Sequence, residues 1–258
     1  MPIELFTALT GAAASFLSGL LGIGGGIVLA PLLLYAPDLV GAQALPVKIV
    51  TGLTIVQAIS GSLLGSLRHR RYGHVSRRLV LVMGPSGAAA SLVGALLSSA
   101  APDRLLLGIF GGFALLGAAA LFLPIRSPDV PVDELEVDAI RAAAIAIVVG
   151  FFGGMVGIGA IAFIIAALVY LLRVPPRIAI GTSLGIGFFA AVATLVGKAA
   201  TAQIDPPLAA IVFVAALVAS PAGAWLSQRT PSRALMLLLA VLVGLSGLRM
   251  GWEAIVGF

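Results

Sequence analysis

The sequence predicts an all-α, polytopic membrane protein built from two inverted repeats, each a Gly-tipped re-entrant or broken helical segment plus three transmembrane helices. Three observations carry this expectation. Of 258 residues, 60% are hydrophobic and 10% charged, where an ordinary soluble domain has about 25% charged. The charges are confined to short stretches that leave eight long uncharged segments. A glycine motif in the first of those segments recurs in the fifth. The formal net charge of +5 resides in loops, so it does not point to a nucleic-acid surface. With no Cys in the chain, disulfides, thiolate metal sites and thiol nucleophiles are excluded.

The first segment, 5–37, has 33 residues and the fifth, 142–172, has 31. One crossing of the ~30 Å hydrocarbon core takes about 20 residues and two take about 40, so neither segment fits. Each carries glycines near its middle: Gly22, Gly24, Gly25 and Gly26 in one, Gly157 and Gly159 in the other. Each therefore reads as a hairpin that enters the membrane, turns at the glycines near the midplane and leaves on its original side. Arms of about 15 residues would reach ~22 Å. Non-helical backbone at that depth is tolerated only where it is buried in protein or lines a cavity. The start, Met1-Pro2-Ile3-Glu4, has no basic region, and the hydrophobic stretch behind it exceeds that of a signal peptide, so a cleaved signal is not expected. Segments 49–67, 79–102, 105–125, 178–197, 206–228 and 234–248 each fit one crossing, the last by running past a snorkelling Arg249.

Gly19-Leu20-Leu21-Gly22-Ile23-Gly24 returns as Gly154-Met155-Val156-Gly157-Ile158-Gly159, with Tyr35 and Tyr170 in the same register. Thr51-Gly52-Leu53 then matches Thr182-Ser183-Leu184 with a small shift. The expected organisation is a first transmembrane repeat over 1–124, a cytoplasmic linker over 125–141 rich in acids and containing Pro128 and Pro131, and a second repeat over 142–258. Three crossings per half make the halves inverted; four would make them parallel. The positive-inside rule chooses between the two. With Arg68, Arg70, Arg71, Arg77 and Arg78 in the cytoplasm, the hairpin arrangement puts 11 basic residues inside and 4 outside (Lys48, Arg104, Lys198 and Arg249), against 9 and 6 for eight simple crossings. Hairpins thus fit better, and they place both termini outside. Glycine tips entering from opposite faces are the arrangement of transporters whose substrate sits where inverted repeats meet.

No Asp, Glu or His lies well inside any segment. A carboxylate proton relay, a metal site, a bound cofactor and acid/base catalysis have no carriers there, so an enzyme is not expected. An anion site needs no charged side chain, because the first N–H groups of a half-helix are unpaired and partly positive. The candidate substrate-binding residues are therefore Gly22, Gly24, Gly25, Gly26, Gly157 and Gly159, assisted by Thr51, Thr54, Gln57, Thr182 and Ser183. Thr54 and Gln57 are three apart and share a helical face with Thr51. Isolated glycines such as Gly61, Gly65 and Gly94 read as close helix packing, and mid-helix Ser and Thr also bond back to their own helix. Lys48 and Lys198, the only lysines, read as snorkelling residues at segment ends, with anion gathering at a vestibule as the sharper alternative. The basic run from Arg68 to His74 reads as a topology determinant. Gly22-x-Gly24 lacks a preceding strand and a following acid, which removes a dinucleotide fingerprint.

Gly22-Ile23-Gly24-Gly25-Gly26 with Pro31, and Gly157-Ile158-Gly159, each followed by a Thr-containing helix (Thr51-Gly52-Leu53; Gly181-Thr182-Ser183-Leu184), resemble the TauE/SafE family, also called sulfonate uptake permeases. The likeness runs over nearly the whole chain. It implies secondary transport, in the cytoplasmic (inner) membrane, of a small anion such as sulfite, thiosulfate or a sulfonate, or of another organic anion. A passive anion channel and a membrane-embedded lipid-modifying enzyme are the alternatives. The expected partners are the anion and the lipid bilayer, with no nucleic acid; the sequence leaves a coupling ion, H+ or Na+, open.

Overall fold

The structure is a computed structural model that describes residues 1–21, 26–71, 75–120, 132, 135, 137–158, 161–227, 229–230 and 232–256. Gly22, Gly24, Gly25 and Gly159 of the expected site, and most of the acidic linker, lie outside the described residues. The described chain is helical throughout, with no strand, as an apolar chain in lipid requires: a helix satisfies its own N–H and C=O groups where no water can.

The elements are α1 (Ile3–Leu21), α2 (Gly26–Tyr35), α3 (Pro37–Val40), α4 (Val47–Arg71), α5 (Arg77–Ser98), α6 (Asp103–Ala120), α7 (Ala139–Val156), α8 (Ile161–Ala166) continued by a π-helical turn (Ala167–Leu171), α9 (Pro176–Ala200), α10 (Pro206–Ser227) and α11 (Ser232–Val256). Among the described residues, five helices are long and apolar enough to cross a membrane: α1, α5, α7, α9 and α10. Side chains such as Leu9, Leu81, Leu116, Val148, Val218 and Ile255 stand exposed on the outside. So large an apolar exterior suits lipid, not water, and the chain is a multi-pass membrane protein.

The starts of the crossings are fixed locally. The Ser76 hydroxyl accepts from Leu79 N, the Asp138 carboxylate from Ile140 N, and the Asp205 carboxylate from Leu208 N at 3.0 Å, each satisfying a donor that the first helical turn leaves open.

Among the described residues the second over-long segment is broken at Gly157, and the first is two helices on either side of residues 22–25. The first divides into a 19-residue α1 and a 10-residue α2; the second into an 18-residue α7 and the shorter run Ile161–Leu171. The arms are thus unequal, not the matched pairs of about 15 residues the sequence suggested. The reason is physical: the long arms are the apolar runs able to cross alone, and the short arms end at Tyr35 and Leu171, before Pro37 and Pro175. The first segment doubles back, because the Met1 ammonium ahead of α1 donates to Gly41 O beyond α3 at 3.1 Å. In the second, Val137 and Ala142 at the start of α7 pack in one cluster with Val169 and Val174 at the far end.

The densest packing pairs α1 with α10, α5 with α7 and α9, α6 with α11, and α4 with α9. Helix α4 runs antiparallel to α9: Thr51 in the first turn of α4 meets Lys198 near the end of α9, while Ser76, just beyond α4, meets Thr182 near the start of α9. Two crossings are so close that backbone touches backbone. A Cβ on Gly19 would strike Ser220 O and one on Gly223 would strike Phe16 O, where α1 crosses α10. Where α7 crosses α5, a Cβ on Gly154 would strike Ser91 O and one on Gly94 would strike Phe151 O. Ser91 also donates to Gly150 O at 2.9 Å across that interface. Without a hydrophobic drive between helices in lipid, such approach supplies the dispersion contacts that hold them together.

Gly154→Val and Gly223→Val should each lose about 1–3 kcal/mol by forcing the crossings apart. Gly112→Ala, whose added Cβ meets nothing within 4 Å, should be neutral. Thermal unfolding of the purified protein in detergent reads the difference.

Candidate functional site

Helix α7 stops at Gly157 because that residue takes a left-handed backbone, φ +72°, with its N–H closing on Gly153 O at 2.9 Å. A side chain would be strained at that φ. It would also strike the Thr51 carbonyl and stand 3.2 Å from Lys198 Cε. A helix that ends inside a packed bundle leaves carbonyls without intrahelical donors. Two are met from other helices: Thr54 Oγ1 of α4 donates to Gly157 O at 3.0 Å, and Lys198 Nζ of α9 donates to Met155 O at 3.1 Å. Thr54 has one proton to share, and its other acceptor, Thr51 O on its own helix, lies at 2.9 Å.

The start of α2 arrives at the same place. Gly26 opens α2, and a Cβ built there would lie 3.0 Å from Ile158 Cα and 3.4 Å from Thr54 Cβ. The two broken segments therefore touch, with Thr54 between them. Thr54 is fully buried and Gln57, one turn on, is 2% exposed; Gln57 Nε2 donates to Ser15 Oγ of α1 at 3.0 Å.

Beside this junction sits a polar cluster centred on Lys198, which is completely buried. Its ammonium reaches Thr51 Oγ1 at 2.9 Å, and Ser98 Oγ, Met155 O and Gln203 Oε1 at 3.1 Å each. These partners come from α4, α5, α7 and the loop after α9. Ser98 Oγ lies 3.0 Å from Gln203 Oε1, and Gln203 Nε2 donates to Ala95 O at 3.2 Å and Thr201 Oγ1 at 2.7 Å. The half-buried Lys48 donates to Ser99 O at 2.6 Å. The two lysines thus flank Ser98 and Ser99. Among the described residues the ion pairs are Arg141–Asp138 and Arg249–Glu253, so neither lysine has a carboxylate partner.

Of the residues expected to act together, the structure gathers Gly26, Thr51, Thr54 and Gly157 at the junction, with Gln57 a turn away. Thr182 and Ser183 are not there. Sixteen and fifteen residues before Lys198 on α9, they lie about 22–24 Å along the helix axis. Thr182 Oγ1 accepts from Ser76 N at 3.0 Å, and Ser183 Oγ bonds back to Ile180 O at 2.8 Å. Antiparallel α4 and α9 put the two Thr motifs at opposite ends of the bundle. Sequence reasoning missed Ser98 and Gln203, and its default placed Lys198 at the lipid interface. The available signal was the rarity of lysine in a chain whose other basic residues are all arginine.

Residues 7–250 match a family model described as sulfite exporter TauE/SafE. The chain is similar to a Bacillus subtilis protein named "Probable membrane transporter protein YunE", 24% identical over 264 residues that cover 95% of this chain and 96% of the relative. A Xylella fastidiosa "Probable membrane transporter protein" is 29% identical over 191 residues, covering 72% and 70%. A Methanocaldococcus jannaschii "Probable membrane transporter protein MJ0441" is 22% identical over 252 residues, covering 94% and 93%. No solved structure matches the chain.

Thr54→Val keeps shape but removes the donor to the buried Gly157 carbonyl, and should cost about 1–3 kcal/mol; Thr54→Ser should recover most of it. For a chain of this size that is a fall of roughly 2–4 °C per kcal/mol in Tm, measured by thermal unfolding in detergent.

Proposed function

Because the chain belongs to the sulfite exporter TauE/SafE family, we propose that it is a secondary transporter that moves a small sulfur-containing or other organic anion across the cytoplasmic membrane by alternating access. Its relatives are named as membrane transporters, not enzymes, and transport across a membrane is the general activity the chain shares with them. The observation that carries the finer reading is the contact of the two helix breaks, Gly26 against Ile158, beside Thr54. Gly22, Gly24, Gly25, Gly26, Gly157 and Gly159 form the anion site in this reading, with Thr51, Thr54 and Gln57 beside it. A strongly hydrated oxyanion must exchange water for fixed donors, and amides released where two helices break supply them.

Inverted repeats over 1–124 and 142–258, joined by the acidic linker 125–141, are supported by the packing. Exchange of the halves turns the α1–α10 crossing into α7–α5 and maps α4–α9 and α6–α11 onto themselves. Gly19 on Ser220 has its counterpart in Gly154 on Ser91, and Gly223 on Phe16 in Gly94 on Phe151. The antiparallel α4 and α9 fit a half that enters the membrane from the opposite face. Burial of Thr54, Gln57 and Lys198 favours a carrier in a closed state over an open channel. Both termini lie outside in this reading, and rocking of one half against the other opens the site to each side in turn.

Proteoliposomes containing the protein should take up sulfite, thiosulfate or a sulfonate above protein-free controls. Gly26→Val, whose side chain would enter the junction, should reduce that flux at least tenfold while the protein still reaches the membrane; retained flux would overturn a site at the breaks. Single cysteines at Pro2 and Asp38 should both react with an impermeant thiol reagent from outside. A cytoplasmic Asp38 would overturn the re-entrant topology.

A further inference from the structure

We propose that the Lys198 ammonium is the fixed positive charge that binds the transported anion, and that Thr51, Ser98 and Gln203 are the groups it exchanges for anion oxygens. This deepens the transporter reading above and rests on it. The starting observation is a mismatch of charge. Lys198 is fully buried, yet its four partners among the described residues, two hydroxyls, a side-chain amide oxygen and a peptide carbonyl, are all neutral. A neutral donor such as Asn or Gln would satisfy some of the same oxygens without carrying a charge into a membrane-embedded core, where an uncompensated ion is expensive. Intramembrane ionisable groups that persist at that cost mark substrate and ion paths.

The position fits. The Lys198 stem lies against the broken turn, since a Cβ on Gly157 would stand 3.2 Å from its Cε. The head group is thus next to the junction of the two breaks. The partners also suit exchange. Thr51 and Ser98 hydroxyls now accept from the ammonium, with their own protons turned to Lys48 O at 2.8 Å and Ala95 O at 2.6 Å. Rotation of either hydroxyl aims its proton at an incoming oxyanion, since a hydroxyl is both donor and acceptor. Gln203 Oε1 is an acceptor that an anion would displace. Lys48, held at Ser99 O and without a carboxylate partner among the described residues, adds a second positive charge on the same side of the site. One ammonium, two rotatable hydroxyls and a nearby second lysine describe a receptor for a small oxyanion, carboxylate, sulfite or sulfonate in class, rather than for a cation or a neutral solute.

The test is anion-induced stabilisation of the full chain in detergent, with sodium sulfite, thiosulfate, methanesulfonate and acetate compared against sodium chloride of equal ionic strength. At least one of these should raise the wild-type Tm, and Lys198→Met should abolish that rise or weaken the apparent affinity at least tenfold. Lys198→Arg, which keeps the charge but moves it, should retain a reduced rise. A purely structural lysine would shift the baseline Tm of the Met variant and leave the anion-induced rise intact, and that result overturns the inference while the transporter reading stands. If the Met variant does not reach the membrane, Lys198→Gln gives the same comparison. A wild-type protein that none of the four anions stabilises would overturn the anion reading, and this inference with it.

Discussion

A backbone that stops being helical inside a membrane must find partners for the groups it frees, and the centre of this protein is arranged around that requirement. Helix α7 ends at Gly157 with carbonyls pointing past its last turn. Those carbonyls are met by Thr54 from α4 and Lys198 from α9, which ties the two long antiparallel helices to the broken one. The same place receives Gly26 from the other broken segment. A single missing hydrogen-bond pattern thus fixes where four elements converge.

The surrounding crossings allow this convergence. Gly19, Gly223, Gly94 and Gly154 let α1 meet α10 and α7 meet α5 at backbone contact, so the long helix of each over-long segment is clamped to a helix distant in sequence. The short arms are held differently: α2 packs on α4, and α8 on α9. The two arms of each segment are therefore anchored on different helices. That is a mechanical basis for a proposed motion in which one half shifts against the other and alters the junction without unravelling either segment.

The buried Lys198 shows how tertiary placement changes the meaning of a residue. Two positions from the end of α9, a lysine in an isolated helix would extend to the lipid headgroups. Here the loop after α9 folds inward, bringing Gln203 over it, and the start of α4 closes the other side through Thr51. Thr51 lies 147 residues away in sequence and Ser98 lies 100. Local hydropathy cannot carry that information.

From the sequence alone came the helical class, the helix break at Gly157, and Thr51, Thr54 and Gln57 as polar residues on one face of an apolar helix. Each of these rests on local chemistry: uncharged run length, glycine where φ turns positive, and helical periodicity. The structure alone decided the unequal arms, the separation of Thr182 and Ser183 from the junction, and the enclosure of Lys198 among Ser98, Gln203 and Met155. Those features depend on how helices distant in sequence cross and in which direction they run. No property of an isolated segment encodes which partner its freed carbonyls will find.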